Sequence, residues 1–230
     1  MRIAFDVDGV LNDVDAFLSS YGARYFERRY KAAHGISRRG IVKGIAVNPN
    51  GYGVREVFGC TPEEETAFWA RHALRFLLFW PPRRNAARVL RALRREGHEV
   101  WIVSSRPGTC EHGMRGTLMR LALRLWLMGN RFEYDGVEFC PEEADAARKR
   151  ETCARRGVDV MVEDKWENVD EIRKSATVLC FLSRANALFE AENVVRVDNF
   201  SGLHRQIQRI GQSRAGGGKP DGDFPCGESV

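Results

Sequence analysis

Two carboxylates, Asp6 and Asp8, follow the apolar residues 2–5 and stand just before Gly9, in the stretch Met1-Arg-Ile-Ala-Phe-Asp-Val-Asp-Gly-Val-Leu11. Residues 2–5 suit a buried strand, and in an open parallel sheet ligands collect outside the carboxyl ends of the strands, where acids can meet a substrate or a metal ion. Gly9 lets the backbone turn sharply behind them. A D-x-D pair by itself leaves the chemistry open, because it also occurs in metal-dependent glycosyltransferases and in solvated turns. Two further apolar runs end in polar groups: Ser104 and Ser105 follow residues 100–103, and Glu163 and Asp164 follow residues 158–162. Lys149 lies on the helical segment before the second of these. Taken singly, Ser104 is also a residue that ends a strand, Lys149 is one of the basic cluster Arg148-Lys149-Arg150, and Glu163-Asp164 also reads as a solvated turn. Parallel strands would gather all of them at one end of the sheet.

That gathering needs alternating helices and strands, and the chain supplies them. Residues 85–95 place Ala86, Val89, Leu90 and Leu93 on one helical face and stop at Gly97; residues 114–128 form a helix closed by Gly129. Residues 141–156 form another, closed by Gly157, and a last helix falls near 203–210. Strands are expected at 100–103, 137–139, 158–162, 178–182 and 194–197. Repeated β-α-β units of this kind predict an α/β fold, a doubly wound, mostly parallel sheet with helices on both faces.

Residues 13–82 contain helices but no convincing strand. Residues 13–31 put Val14, Phe17, Leu18, Tyr21 and Tyr25 on one face; residues 35–59 form a glycine-rich, basic loop with a turn at 48–51. Thr61-Pro-Glu-Glu64 then opens a helix carrying Phe68, Trp69, Leu74, Leu77 and Leu78, which ends before Pro81-Pro82. The segment therefore reads as a helical cap inserted over the strand ends. The expected organisation is a core of residues 1–12 and 83–210, a cap of 13–82, and a disordered tail at 211–230, where glycine and polar residues leave little to bury.

At 230 residues, 43% hydrophobic and 29% charged, the chain is of a size for one domain with a small insertion. Its net charge of +5 favours anionic substrates, and is too small and too scattered to indicate a nucleic acid polymer as partner. The six cysteines form no C-x-x-C pair and no zinc-ligand spacing with histidine, which suits reduced thiols in a cytoplasmic protein. The first apolar run is broken at once by Asp6 and Asp8 and does not read as a signal peptide. Residues 118–128, the most apolar later stretch, carry Arg120 and Arg124 and fall short of a membrane span.

The ordered set Asp6-Val-Asp-Gly-Val10, Trp101-Ile-Val-Ser104, Lys149 and Val160-Met-Val-Glu-Asp164 resembles the four motifs of the haloacid dehalogenase-like hydrolase superfamily. The resemblance covers about residues 1–210. Within that superfamily the chain is most similar to 5′-nucleotidases of the deoxyribonucleotidase type, which share a helical insertion after the first motif. The resemblance implies a Rossmann-like core and a division of roles. Asp6 would be the nucleophile that forms an aspartyl-phosphate, and Asp8 the acid that protonates the leaving oxygen and then activates water. Magnesium would be bound by Asp6, the backbone carbonyl of Asp8, and Asp164, with Glu163 holding a metal-bound water. Ser104 and Lys149 would grip the phosphoryl oxygens, with Ser105 as a further contact; Arg148 or Arg150 remains open in place of Lys149. Acting as an acid near neutral pH would require a raised pKa at Asp8.

These implications point to a magnesium-dependent phosphomonoesterase acting on a small phosphorylated molecule, with a nucleoside 5′-monophosphate as the first expectation. A sugar phosphate or another specialised metabolite is the alternative, followed by a macromolecular phosphatase and by a non-catalytic phosphate-binding or regulatory protein. Retention of both aspartates counts against the last. Phe68, Trp69 and Trp80 suit packing in the cap better than stacking on a base, and Lys43 and Arg55 stand in the loop where a leaving group would be gripped. His34, His72, His98 and His112 lack metal-ligand spacing.

Overall fold

The computed structural model describes residues 1–33, 48, 50–141, 146–192 and 194–215, and at its centre runs β1 (Arg2–Phe5), whose Ile3, Ala4 and Phe5 are fully buried. A strand buried on both faces is what a parallel sheet covered by helices requires. The others are β2 (Glu99–Ser104), β3 (Gly136–Phe139), β4 (Val160–Glu163), β5 (Thr177–Phe181) and β6 (Val195–Val197). All pair in parallel, in the order β3-β2-β1-β4-β5-β6. The expected doubly wound sheet is therefore present, with its strands within two residues of their predicted positions.

Between β1 and β2 the chain makes α1 (Val14–Phe17) and α2 (Ala23–Ala33), joined by a wider helical turn at Leu18–Gly22, then α3 (Val54–Phe58) and α4 (Pro62–Leu74). A second wide turn, Arg75–Phe79, prolongs α4. These elements enclose a cluster of their own, built on Phe17, Leu18, Phe26, Val57, Phe68 and Phe76. Both ends of the segment meet at the sheet: Asn12 bridges Pro82, and Arg83 N donates to Leu11 O at 2.8 Å. The Arg83 side chain also bonds Gly9 O, Asn12 O and the Asp13 carboxylate.

After it come α5 (Ala86–Arg95), α6 (Gly113–Gly129), α7 (Ala146–Arg155), α8 (Trp166–Ile172) and α9 (Phe200–Ala215). Ile3 and Phe5 face a core shared with Leu90, Leu123, Trp126 and Leu203 of α5, α6 and α9. Ala4, on the opposite side of the pleat, faces Cys153, Val169 and Ile172 of α7 and α8. Among the described residues no helix is long and apolar enough to cross a membrane.

Several details depart from the sequence reading. α3 lies inside the stretch expected to be a loop, and α8 was not anticipated. Both are a turn or two long, too short for an apolar period to show. Leu74 is exposed, not buried. α9 runs to Ala215, so residues 211–215 are helical and not part of a tail; residues 216–230 lie outside those described. The start of α4 follows expectation: Glu64 N donates to Thr61 Oγ1 at 3.3 Å and Thr61 N to the Glu64 carboxylate at 3.1 Å. Thr61→Ala removes one of these two bonds and should cost about 1 kcal/mol, seen as a lower urea midpoint with an unchanged slope; an unchanged midpoint would show that the cap contributes nothing.

Candidate active site

β1 lies where the strand order reverses: from it the chain runs outward to β2 and β3, then crosses back through α7 to β4 on the other side of β1, and in such sheets the crevice at this reversal is where ligands bind. Asp6 is the first residue beyond β1, tied by its N–H to Val162 O at 3.0 Å, while Glu163 ends β4 and Asp164 follows it. Residues 157 positions apart in sequence are thus held side by side by the strand register.

Lys149 reaches them from α7. Its Nζ donates to Asp6 Oδ1 at 2.6 Å and to Glu163 Oε2, and all three side chains are buried. Arg148 is exposed and Arg150 pairs with Glu171 at 2.7 Å, so of the three basic neighbours it is Lys149 that faces the acids. Burial works against its charge, but Asp6 and Glu163 outweigh that and hold it as an ammonium ion. Burial pushes the pKa of Asp6 up to about 7; Lys149 opposes the rise, and the charges of Glu163 and Asp8 add to it. Asp164 is raised well above the usual carboxylate range, by burial first and then by Glu163 and Asp6.

One carboxylate oxygen from each of Asp6, Glu163 and Asp164 lies within 4.8 Å of the others. The two oxygens of Glu163 are already engaged, Oε2 by Lys149 and Oε1 by the N–H groups of Asp164 and Lys165. Asp164 Oδ1, in contrast, is buried without a hydrogen-bond partner. Ser183 Oγ, on the same small cleft with Gly9 and Asp15, is also buried and unpaired. Orphaned buried oxygens among like charges are costly unless a cation or its water meets them, and the all-oxygen donor set suits a hard divalent ion such as magnesium. Gly9 makes room for this arrangement: at φ 88° it needs no Cβ, and a Cβ there would come 2.0 Å from Asp164 Oδ2.

Asp8 departs from expectation. Its carboxylate is forked by Arg106, which donates Nε to Oδ2 at 2.9 Å and Nη2 to Oδ1, and Asn12 Nδ2 adds a bond of 2.7 Å. Burial alone would raise its pKa, yet the Arg106 charge and hydrogen bonds with that of Asn12 hold it below the usual range. Arg106 is buried and stands two residues past Ser104. Sequence reasoning had passed over it, although Ser104-Ser105-Arg106 places a fixed positive charge at the end of β2. Ser104 Oγ accepts from Arg106 N at 3.2 Å, and Ser105 is partly exposed beside it.

A buried amide holds the loop after β4. Asn186 Nδ2 donates to Asp164 O at 2.7 Å and to Phe181 O at 2.8 Å, and its Oδ1 accepts from Ser183 N. Tyr52, in the stretch expected to grip the leaving group, is 38% exposed and lines the cleft with Asp164. Arg55 instead pairs with Glu65 at 2.9 Å, and Lys43 lies outside the described residues. Phe68 is fully buried against Phe17, Tyr25 and Trp69 and offers no open ring face.

The sequence matches no family model and no curated protein. Solved structures do resemble it. A haloacid dehalogenase-like family hydrolase from Xanthomonas campestris superposes with a TM-score of 0.57 at 12% identity, covering 94% of this chain and 97% of that one. A protein from Lactobacillus delbrueckii subsp. bulgaricus whose inferred activity is phosphoglycolate phosphatase gives 0.56 at 16% identity, covering 90% and 97%. One from Thermotoga maritima, with β-phosphoglucomutase as its inferred activity, gives 0.54 at 16% identity, covering 91% and 100%. The chain has the Rossmann-like fold of the haloacid dehalogenase-like hydrolases.

The raised Asp6 sets a pH dependence. A carboxyl whose folded pKa lies above its unfolded value binds more protons in the folded state, so its contribution to stability falls as pH rises through the interval between the two. With a chelator present, the melting temperature should fall between about pH 4 and about pH 7, the window set by the unfolded value and by Asp6 at about 7. Asp6→Asn should flatten that slope, and added magnesium should recover the loss at the upper end. A slope that is the same in the variant would show that Asp6 is not its source.

Proposed function

We propose that this chain is a magnesium-dependent phosphomonoesterase that hydrolyses a small phosphorylated metabolite through an aspartyl-phosphate on Asp6. The observation that carries the reading is the ammonium of Lys149 held between Asp6 and Glu163 beside the unpartnered oxygen of Asp164. A non-catalytic phosphate binder would have no use for three crowded acids, which repel its ligand.

In the first step an Asp6 oxygen bonds to phosphorus as the ester oxygen departs with a proton from Asp8. In the second, Asp8 takes a proton from water while the water oxygen attacks the same phosphorus, freeing inorganic phosphate and restoring Asp6. Asp6, the main-chain carbonyl of Asp8 and Asp164 would hold magnesium, whose charge offsets that of the phosphate when it is bound. Ser104, Ser105 and Lys149 are assigned to the phosphoryl oxygens, where charge must be met by fixed donors. Arg106 controls the timing. A dianionic phosphate arriving beside it competes for the guanidinium, and a weakened Arg106–Asp8 pair lets the Asp8 pKa rise into the range an acid needs.

Residues 13–82 act as the cap over this site in our reading, with Tyr52 at its mouth. Nucleotide specificity would call for an aromatic platform, and Phe68 is spent on packing within the segment. Sugar phosphates and similar small phosphomonoesters therefore come first, in keeping with the inferred activities of two structural neighbours, and nucleoside 5′-monophosphates second.

Phosphate release from a panel of sugar phosphates and nucleoside monophosphates, with magnesium or with a chelator, tests both levels. Metal-dependent release is expected from at least one sugar phosphate. Asp6→Asn should reduce it by roughly 1,000-fold or more while the variant stays folded. Full turnover by that variant would remove Asp6 as nucleophile, and release from nucleotides alone would reverse the substrate order.

A further inference from the structure

α6 carries an outward face that the described residues leave uncovered. Its inner side chains, Leu123, Trp126 and Leu127, are buried in the core, and Trp126 Nε1 donates to Trp80 O at 2.7 Å, which fixes the rotation of the helix. On the outside stand Met114, Leu118, Leu121, Leu125 and Met128, each between 44% and 80% exposed. Their spacing is four, three, four, three, which keeps all five on one side of the helix, as a seam between two paired helices requires. Arg75–Phe79 packs along α6 and leaves Phe79 exposed as well.

We propose that this face is a self-association surface, and that two copies of the chain pair through α6 in antiparallel fashion about a two-fold axis near Leu121. In that pairing Leu121 meets Leu121 of the second copy, Leu118 meets Leu125, and Met114 meets Met128. The seam is about 20 Å long. It offers on the order of 500 Å² of apolar surface per chain, at the upper end of what a monomer exposes. Two such faces bury about 1,000 Å², the lower bound for a specific interface.

The charges flanking the stripe allow it. Arg115 is paired with Glu111 at 3.2 Å, and Arg120 donates to Thr109 O at 2.7 Å. The two-fold sets Arg124 against Thr117 and Leu118 of the other copy, and Arg115 near Leu127 and Met128, so no arginine of the seam faces another. Antiparallel pairing also sets each helix N-terminus beside the C-terminus of its mate, where the dipoles attract. The acids at the strand ends do not take part, so the inference stands whatever the reaction.

The test is the solution mass of the full chain by light scattering after size exclusion, at loading concentrations up to about 100 μM. The parent should run at twice the chain mass of 26.1 kDa, and the mass should fall to that of one chain on dilution. Leu121→Glu, which sets two charges against each other on the axis, should give the monomer at every concentration with an unchanged circular dichroism spectrum and melting temperature. Leu121→Ile should keep the dimer. A parent that is monomeric throughout overturns the proposal, as does a dimer that survives Leu121→Glu, which would place the contact elsewhere. A monomeric parent that sediments with anionic phospholipid vesicles would also overturn it, in favour of a lipid surface as occupant.

Discussion

A single buried ammonium joins the carboxyl ends of β1 and β4. Lys149 sits on the inner face of α7, one turn before Cys153, where an apolar side chain would normally be. It is tolerated there because Asp6 and Glu163 accept its protons, and they are tolerated at the ends of β1 and β4 because it supplies them. Such a set stands or falls together: a buried charge robbed of its partner typically costs 3–5 kcal/mol, roughly. That contact ties α7 to the ends of β1 and β4, and it opposes the rise that burial and neighbouring acids impose on Asp6 and Asp164.

The long helical segment between β1 and β2 packs largely on itself beside a tight site. Residues between β1 and β2 build their own aromatic cluster around Phe17 and Phe68, and draw little on the core beneath the sheet. Arg83 closes the base of that segment by bonding Gly9 O, Asn12 O and Asp13 at once. The turn carrying Asp8 is therefore anchored from both sides, by Asn12 within it and by Arg83 just before α5. Tyr52 and Gly53 come from that segment to the same cleft as Asp164.

Asp6 and Asp8, two residues apart, lie in opposite electrostatic settings. Asp6 is raised by burial and by neighbouring acids, whereas Asp8 is lowered by Arg106 and Asn12. In our reading the nucleophile is kept ionised by Lys149 and by the metal, and the acid is held in reserve by an arginine that the substrate can draw away. The two arginine bonds give the guanidinium a fixed orientation, which a lysine would not supply.

Much of this was legible in the sequence. The apolar runs ending in Asp6, Ser104 and Glu163, separated by amphipathic helices, were enough for a parallel sheet with its polar groups at one end, because strand period and helix period are local properties of the chain. The capping box at Thr61 was legible for the same reason. Tertiary structure alone could decide which of Arg148, Lys149 and Arg150 faces the acids, since that depends on the rotation of α7 against the sheet. It alone could pair Arg106 with Asp8, 98 residues apart, and so lower a pKa expected to rise. It alone could bury Phe68 and expose Leu74 on the same helix. Local sequence specifies which way a residue can point along its own element; what stands opposite it is set by how the elements meet, and charge, burial and pKa are properties of that meeting.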